Sequence, residues 1–245
     1  MIFNFYSEEI MRRSADELNW IGFNISGNNI NHLRYADDIV RISTSAEGLQ
    51  TLLNEVERVS AELLLEINTE KTKVMAAIRE PEILRIQCRG VRLEQVNHFK
   101  YLGSMIVRTA DLTKEIKAKL GAARSALGSL DSFWGHRSIN NITKIKLLKT
   151  LVWPIALYGC ESWTLRRSDI ARLQSFEMTC YRRVLKVTWR HRRTNDSILE
   201  ELRTNRQIIP AAKSRKLGNF GHVIRAQLLS THLLEGRVHG ERPRG

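Results

Sequence analysis

Apolar and polar positions in the first third of the chain change between helical and strand spacing. Tyr6, Ile10 and Met11 recur at the spacing of one helix face and predict a helix at the start of the chain. Two short runs rich in β-prone residues, 30–35 and 39–42, follow with an Ala-Asp-Asp gap between them. This pattern predicts a β-hairpin with an acidic turn.

A second helix is predicted immediately after this hairpin. Thr44 is followed three residues later by Glu47, the spacing of a capping box, which predicts that the helix begins there. Its predicted apolar face consists of Leu49, Leu52, Leu53, Val56, Val59 and Leu63. The strands predicted next are 64–67, 72–77, 83–88, 91–93 and 99–106. A turn at Arg89 and Gly90 joins the third and fourth of these strands into another hairpin.

From residue 111 onward, helical spacing replaces the strand pattern. The apolar positions that keep this spacing are Leu112, Ile116, Leu120, Ala123, Leu127 and Leu130, then Ile142, Ile145, Leu148 and Val152, then Ile170, Leu173, Phe176, Cys180 and Val184. Two further helices are predicted around Ile198 and Leu217. We therefore expect an α+β domain over 1–108 and a mainly helical region over 109–235, with a loose basic tail at 236–245.

Composition indicates a folded protein, and the charge distribution divides it in two. Of the 245 residues, 42% are hydrophobic, which is close to an ordinary globular protein. Residues 1–125 carry 17 basic and 17 acidic side chains, whereas residues 126–245 carry 22 basic and 9 acidic ones. The whole net charge of +13 therefore lies in the second half. This excess favours nucleic acid as a partner, with a solvated basic surface as the alternative interpretation.

The cysteines and the N-terminus indicate an intracellular protein. Cys88, Cys160 and Cys180 are far apart and match neither a disulfide framework nor paired zinc ligands. The sequence has no run of about 18 apolar residues, the length that a membrane span requires, and its first residues lack the pattern of a secretory signal. We therefore expect a nuclear or cytoplasmic location, no membrane partner and no secretion.

The adjacent residues Asp37 and Asp38 are the candidate catalytic groups. Neighbouring carboxylates repel each other, and a divalent cation relieves that repulsion. Hard ions such as Mg2+ prefer carboxylate oxygens and keep open positions for substrate phosphates. Because aspartate also suits turns for conformational reasons, the dipeptide alone does not decide between a metal site and an ordinary turn.

Three ordered motifs resemble those of a known family. Residues 33–40, which read Leu-Arg-Tyr-Ala-Asp-Asp-Ile-Val, resemble the catalytic box of the reverse transcriptases of non-LTR (LINE-type) retrotransposons. Residues 68–73, Asn-Thr-Glu-Lys-Thr-Lys, resemble the segment near the nucleotide site of that family, and residues 99–103, Phe-Lys-Tyr-Leu-Gly, resemble its primer grip. Later segments that resemble the same elements are 153–163, 176–189 and 216–222. The resemblance implies an RNA-directed DNA polymerase.

The resemblance also implies roles for particular residues. Asp37 and Asp38 would be catalytic and would hold Mg2+ or Mn2+, which supports nucleotidyl transfer by two metal ions in the intact family. Lys71 would protonate the leaving pyrophosphate, and an ordinary solvated lysine is the alternative. The implied primer-binding residues, with plain strand core as the alternative, are Phe99, Tyr101, Leu102 and Gly103. The implied partners are an RNA or DNA template-primer and deoxynucleoside triphosphates.

The basic second half offers a further set of candidate nucleic-acid contacts. They are Lys144, Lys146, Lys149, Arg190, Arg192 and Arg193. Lys146 and Lys149 are spaced to share a helix face, and the arginines follow a helix whose other face is predicted to pack in the core. A solvated run of charges is the competing interpretation. Trp153, Trp163 and Trp189 are expected in the core rather than at stacking sites.

Two features depart from the pattern of the family. No apolar strand with another aspartate precedes Asp37 and no fingers region is recognisable, so we expect part of a palm followed by a thumb-like helical region. Arg41 stands where the strand is normally apolar, and its face is either open or no longer serves polymerisation. Three interpretations remain: a reverse-transcriptase fragment that is inactive alone, a non-specific nucleic-acid-binding module, or a relic of a mobile element without selected activity.

Overall fold

The chain divides into two compact units. The first is formed by 1–110 and 223–245, and the second by 111–222. The computed structural model describes residues 2–16, 18, 20–25, 27–77, 83–107, 112–226 and 231. The predicted basic tail lies outside these residues. The assignment of the two units as palm and thumb stays a prediction.

The first unit combines helices with short strands, which confirms the predicted α+β class. In chain order its elements are α1 (Ile2–Asp16), β1 (Phe23–Ile25), β2 (Asn28–Ile30), β3 (His32–Tyr35), β4 (Asp38–Arg41), α2 (Ala46–Glu62), β5 (Lys73–Val74), β6 (Gln87–Cys88), β7 (Val91–Arg92), β8 (Glu94–Gln95), β9 (His98–Tyr101) and β10 (Ser104–Val107). Within the described residues the strands pair two by two. The pairs β1–β2, β3–β4, β6–β7 and β9–β10 are antiparallel, whereas β5–β8 is parallel.

Helix α2 is central to the first unit because it packs on two sides. Val56 and Val59 form one cluster with Ile10 of α1. Leu49 and Leu53 pack against a second cluster, which is formed by residues of β5, β6 and the segments beside them. The apolar face that the sequence predicts for this helix is therefore confirmed, and it joins α1 to the small strand pairs.

The start of α2 differs by one residue from the prediction. Ser45, rather than Thr44, is the N-cap residue, and its hydroxyl accepts a hydrogen bond from the Gly48 amide at 3.0 Å. Ser45 has the extended backbone that an N-cap requires, with φ −136° and ψ 159°. The two candidate hydroxyls are adjacent in sequence, so only the backbone geometry decides between them.

Two predicted strands are also wrong. Residues 64–67 are not a strand, because Leu64 has a φ of 57°, which ends the preceding helix in a left-handed turn. The run 99–106 is a hairpin rather than one strand. Its turn consists of Leu102 and Gly103, whose φ values of 47° and 80° match the two positive φ values of a tight two-residue hairpin turn.

The second unit is mainly helical, as predicted. In chain order its elements are α3 (Thr113–Ser129), α4 (Asp131–Trp134), α5 (Asn141–Leu147), a π-helix (Leu148–Val152), α6 (Trp153–Ala156), a 3-10 helix (Cys160–Ser162), α7 (Arg167–Val184), a second 3-10 helix (Trp189–His191), α8 (Asn195–Glu201) and α9 (Ile208–Ala226), which continues past residue 222. Its core is one cluster, and its largest fully buried side chains are Trp134, Trp163, Phe176 and Tyr181. Most predicted apolar positions lie in this core, but Ile142 in the first turn of α5 is exposed. None of the helices among the described residues has the length and hydropathy that a bilayer crossing requires.

Candidate functional site

The hairpin β3–β4 carries the acidic pair at its tip, which confirms the predicted hairpin. Tyr35 pairs with Asp38, so Ala36 and Asp37 form a two-residue turn. Ala36 has a φ of 53°, in the left-handed region that tight hairpin turns use and that costs an L-residue about 1–2 kcal/mol. Both carboxylates are exposed, with Asp37 in the turn and Asp38 at the first position of β4.

Two serines of α1 hold the two ends of this hairpin. Ser7 and Ser14 are seven residues apart, so they lie on the same face of the helix, and both are buried. The Ser7 hydroxyl donates to the carbonyl oxygen of Ala36 at 3.2 Å, and Arg41 Nη2 donates to Ser14 Oγ. The helix therefore contacts the acidic turn and the far end of β4. Neither serine was among the predicted site residues, although two serines seven positions apart share one face of a helix.

Arg41 does not lie on an open face, which corrects one of the two expectations for it. Its Nε and Nη1 atoms are buried and have no hydrogen-bond partner among the described residues, while Nη2 is bonded to Ser14. Burial lowers the pKa of Arg41 to about 10, and the carboxylate of Glu55 partly offsets this effect. A seryl hydroxyl and a nearby carboxylate thus accommodate a cation in a position where the sequence favoured an apolar residue.

Tyr101 of the hairpin β9–β10 lies within electrostatic range of the acidic pair. Phe99 and Tyr101 occupy alternate positions of β9, and Leu102 with Gly103 forms the turn that follows. Burial raises the pKa of Tyr101, and the negative charge of Asp38 raises this pKa further. The charge of Asp38 is therefore felt at Tyr101, which links these two motifs within the described residues.

The third motif forms a turn at the surface of the first unit. Asn68 Oδ1 accepts a hydrogen bond from the Lys71 amide at 3.0 Å, and the Asn68 carbonyl accepts one from the Thr72 hydroxyl at 2.7 Å. The Lys71 residue is exposed. Within the described part of the chain, no hydrogen bond or ion pair joins Lys71 to Asp37 or Asp38.

The acidic pair has the donor chemistry of a site for one divalent cation. Asp37 and Asp38 offer exposed carboxylate oxygens, which are the ligands that Mg2+ and Mn2+ prefer. The residues that the structure describes contain no cluster of three or more His, Cys, Asp or Glu side chains that could hold a metal ion. Because two carboxylates are fewer ligands than such an ion takes in total, an ion held by this pair would keep most of its water ligands.

The lysines proposed as nucleic-acid contacts are not equivalent. Lys144 is only 7% exposed and its ammonium donates to the carbonyl oxygen of Trp134 at 2.7 Å, so the structure corrects its expected place at the surface. Lys149 is half-buried, with its ammonium 5.9 Å from the centroid of the Trp153 ring. Lys146 is exposed. Of the three, Lys146 is the most accessible to a phosphate, and the role of the half-buried Lys149 stays a prediction.

The three arginines of the same set also differ in exposure and pairing. Arg193 forms an ion pair with Glu201 and is half-buried, so its charge is already partnered. Arg190 and Arg192 are exposed. Arg190 belongs to the 3-10 helix that follows α7, and Arg192 comes directly after this helix with a φ of 45°. These two arginines are therefore accessible to a phosphate.

The three tryptophans that were expected in the core have different environments. Trp153 and Trp163 are buried, which confirms the prediction for them. Trp189 is 84% exposed, so the prediction is wrong for this residue. Trp189 comes five residues after the end of α7 at Val184. The sequence alone does not show that the buried apolar face of this helix ends before the tryptophan.

Comparison with known proteins shows two similarities. The family described as "Reverse transcriptase (RNA-dependent DNA polymerase)" matches residues 1–106, a range that includes both the acidic hairpin and β9–β10. A Caenorhabditis elegans protein described as transposon-derived is 30% identical over 207 residues, which is 82% of this chain and 74% of the relative. The second similarity is too long to lie within the first unit, so it also includes part of the helical second unit.

Proposed function

We propose that this chain, which belongs to a family of transposon-derived reverse transcriptases, is part of the RNA-directed DNA polymerase of a LINE-type element. The observation that carries this proposal is the pair of exposed carboxylates at the tip of β3–β4, within the range 1–106 that matches the reverse transcriptase family. Two exposed carboxylates at a hairpin tip suit the binding of a metal ion that also holds a triphosphate.

In this proposal each motif has a distinct role. Asp37 and Asp38 bind Mg2+ or Mn2+, which supplies positive charge for activating a 3′-hydroxyl and stabilising a departing pyrophosphate. Tyr101, with the other residues of its motif, contacts the primer backbone. Lys71, which is exposed, provides a proton to the pyrophosphate.

The acidic pair alone is too small a ligand set for two-metal catalysis. Two ions and a triphosphate need further carboxylates at fixed positions, and the described residues contain no third acidic side chain in a metal-binding cluster with the pair. We infer that the 245-residue polypeptide binds one ion weakly and does not extend a primer by itself.

A Mn2+ titration followed by electron paramagnetic resonance tests the metal site. We expect one weakly bound ion in the wild type and its loss in the double variant D37N/D38N. The matched control D196N/E200Q removes two exposed carboxylates from α8, in the second unit, and should retain the ion. Equal binding by the wild type and D37N/D38N would contradict the metal site.

A primer-extension assay tests the inferred lack of activity. Purified protein is incubated with a primed RNA template, deoxynucleoside triphosphates and either Mg2+ or Mn2+, and we expect no extended product. Extension by the wild type that D37N/D38N abolishes would contradict the inference that the ligand set is incomplete, and it would leave the assignment of Asp37 and Asp38 in place.

Non-specific nucleic-acid binding by the second unit is a second candidate function. The observation that favours it is the location of the whole excess positive charge in 126–245, together with the exposure of Lys146, Arg190 and Arg192. Exposed cations contact phosphates and do not read base edges. Unlabelled competitors of different sequence should therefore displace a labelled duplex with equal efficiency, and a preferred sequence would contradict this candidate function.

A further inference from the structure

Trp189 is the most exposed of the five tryptophans. Trp134, Trp153 and Trp163 are buried, whereas Trp189 is 84% and Trp20 is 76% exposed. An exposed indole gives up the large apolar contact area that tryptophan normally buries in a core. Exposed rings of this kind are typical of surfaces that bind a partner with a flat, polarisable face.

The ring of Trp189 is presented by a well-bonded turn. The Thr188 amide donates to His191 Nδ1 at 3.0 Å, and the amide of Arg192 donates to the carbonyl of Trp189 at 3.2 Å. A further hydrogen bond joins the helices on the two sides of this turn, since Arg182 of α7 donates to Asn195 Oδ1 of α8 at 2.7 Å. The turn is therefore ordered before any ligand binds, which lowers the entropic cost of binding.

The surroundings of this turn are strongly basic. Residues 182–193 contain six basic and no acidic side chains. The basic residues are Arg182, Arg183, Lys186, Arg190, Arg192 and Arg193. Arg182, Arg183 and Arg193 have hydrogen-bond or ion-pair partners, and the exposed residues besides Arg183 are Lys186, Arg190 and Arg192. The available positive charge is thus next to the exposed ring.

Arg190 lies against the ring itself. Its guanidinium carbon is 5.7 Å from the centroid of the Trp189 ring, a cation–π distance, so one face of the indole carries a positive charge. Since the side chain is still 84% exposed, the opposite face is open to a ligand. An open aromatic face beside a cation meets the two requirements of single-strand binding, which are base stacking and phosphate contact.

We propose that Trp189, with Arg190 and Arg192, is a stacking platform for an unpaired base of a single-stranded nucleic acid. This inference rests on the proposed nucleic-acid binding by the second unit and adds the residue that contacts the base. The faces of bases inside a duplex are covered by their neighbours, so the platform favours single strands over duplexes. Every base has an aromatic face, so RNA and DNA strands both bind.

Fluorescence anisotropy with the full chain tests the platform. The labelled ligands are (dT)20, (rU)20 and a 20-base-pair duplex, all at one salt concentration. The variant W189A should lose about 5- to 100-fold in affinity for both single strands, because one stacked base is removed. Its affinity for the duplex should change less than twofold. The conservative variant W189F keeps an aromatic face and should retain most of the single-strand affinity.

The variant W20A is the matched control. Trp20 is also exposed but lies in the first unit, which lacks the excess positive charge, so W20A should bind all three ligands like the wild type. Quenching of tryptophan emission by (dT)20 gives a second readout. W189F should lose this quenching while it still binds, and circular dichroism should give the same melting temperature for W189A and the wild type.

The possible outcomes separate this inference from the proposed function. Wild-type affinity of W189A for single strands overturns the platform, and so does an equal loss of affinity for single strands and duplex. If the wild type binds every ligand and W189A behaves identically, only the platform fails. If the wild type binds none of the three ligands, both the platform and the proposed nucleic-acid binding fail.

Discussion

His32 and Arg41 face each other in register across β3 and β4, and Arg34 lies two residues further along β3. Burial lowers the pKa of His32, and the positive charges of Arg41 and Arg34 lower this pKa further, whereas Glu8 of α1 acts in the opposite direction. A protonated His32 would therefore add a third positive charge to one face of the hairpin that presents the acidic pair.

We predict that the first unit loses stability as the pH falls below about 6.5, the pKa of an unperturbed histidine. His32 binds a proton less tightly in the folded than in the unfolded state. Its contribution is therefore fully present above pH 6.5 and is lost as the pH falls toward the lower pKa of the folded state. The measurement is urea unfolding between pH 5 and 7.5, in which H32Q should flatten the slope.

The exposed His136 provides the control for this experiment. The variant H136Q removes a histidine from the second unit and should preserve the pH dependence of the wild type. An unchanged slope in H32Q would show that other groups cause the loss of stability.

Glu177 links α7 to the beginning of α9 by a buried carboxylate. Its Oε1 atom accepts hydrogen bonds from the amides of Gln207 and Ile208, at 2.6 and 3.0 Å, and from the hydroxyl of Tyr181 at 2.9 Å. Burial and the charge of Glu177 raise the pKa of Tyr181, so this hydroxyl remains a donor at neutral pH. The carboxylate thus satisfies free amides at a helix start, where a negative charge is also favourable.

We predict that E177A destabilises the second unit by about 3 kcal/mol, because it leaves the amides of Gln207 and Ile208 without their acceptor and removes the shorter hydrogen bond of the Tyr181 hydroxyl. E177Q keeps an acceptor oxygen and should cost only about 1–2 kcal/mol. The measurement is the free energy of unfolding in urea. E200A, which removes an exposed glutamate of α8, should stay within about 0.5 kcal/mol of the wild type. Equal effects of E177A and E200A would contradict the capping role.

Charge is segregated along the whole molecule. Residues 1–125 are neutral in sum, and residues 126–245 carry the net charge of +13. Part of this excess charge already has partners within the second unit, because Lys144 is bonded to the carbonyl of Trp134 and Arg193 is paired with Glu201. The number of positive side chains that can contact phosphates is therefore smaller than the net charge of +13 suggests. The salt dependence of binding measures this number directly.

We predict that the affinity for duplex DNA falls with rising salt at a slope of roughly −3 to −4.5 in a double-logarithmic plot, as expected for three to five neutralised phosphates. The variant K146Q/R190Q/R192Q should reduce the magnitude of this slope by up to about 2.7, that is, about 0.9 for each lost contact. The measurement is anisotropy over a range of salt concentrations.

A matched variant separates local contacts from total charge. R12Q/R13Q/R85Q removes the same number of positive charges from the first unit, and its slope should equal that of the wild type. Equal reductions of the slope in both triple variants would show that binding does not depend on the exposed residues of the second unit.

The sequence by itself determined the local elements and the order of the motifs. The hairpin around Asp37 and Asp38, the apolar face of α2 and the helices of the second unit follow from periodicity and turn chemistry, which depend on residues close together in the chain. The division of charge is likewise a property of composition along the chain. These features could be predicted because each depends either on residues close together in the chain or on composition alone.

Only the tertiary structure decided which polar and aromatic side chains remain available. Lys144 is buried because Trp134 offers it a carbonyl, and Arg183 is paired because Asp131 lies beside it, 52 positions earlier in the chain. Trp189 is 84% exposed although it follows a helix with a buried apolar face. Burial and pairing depend on groups that are distant in sequence, and no local pattern records which of them meet when the chain folds.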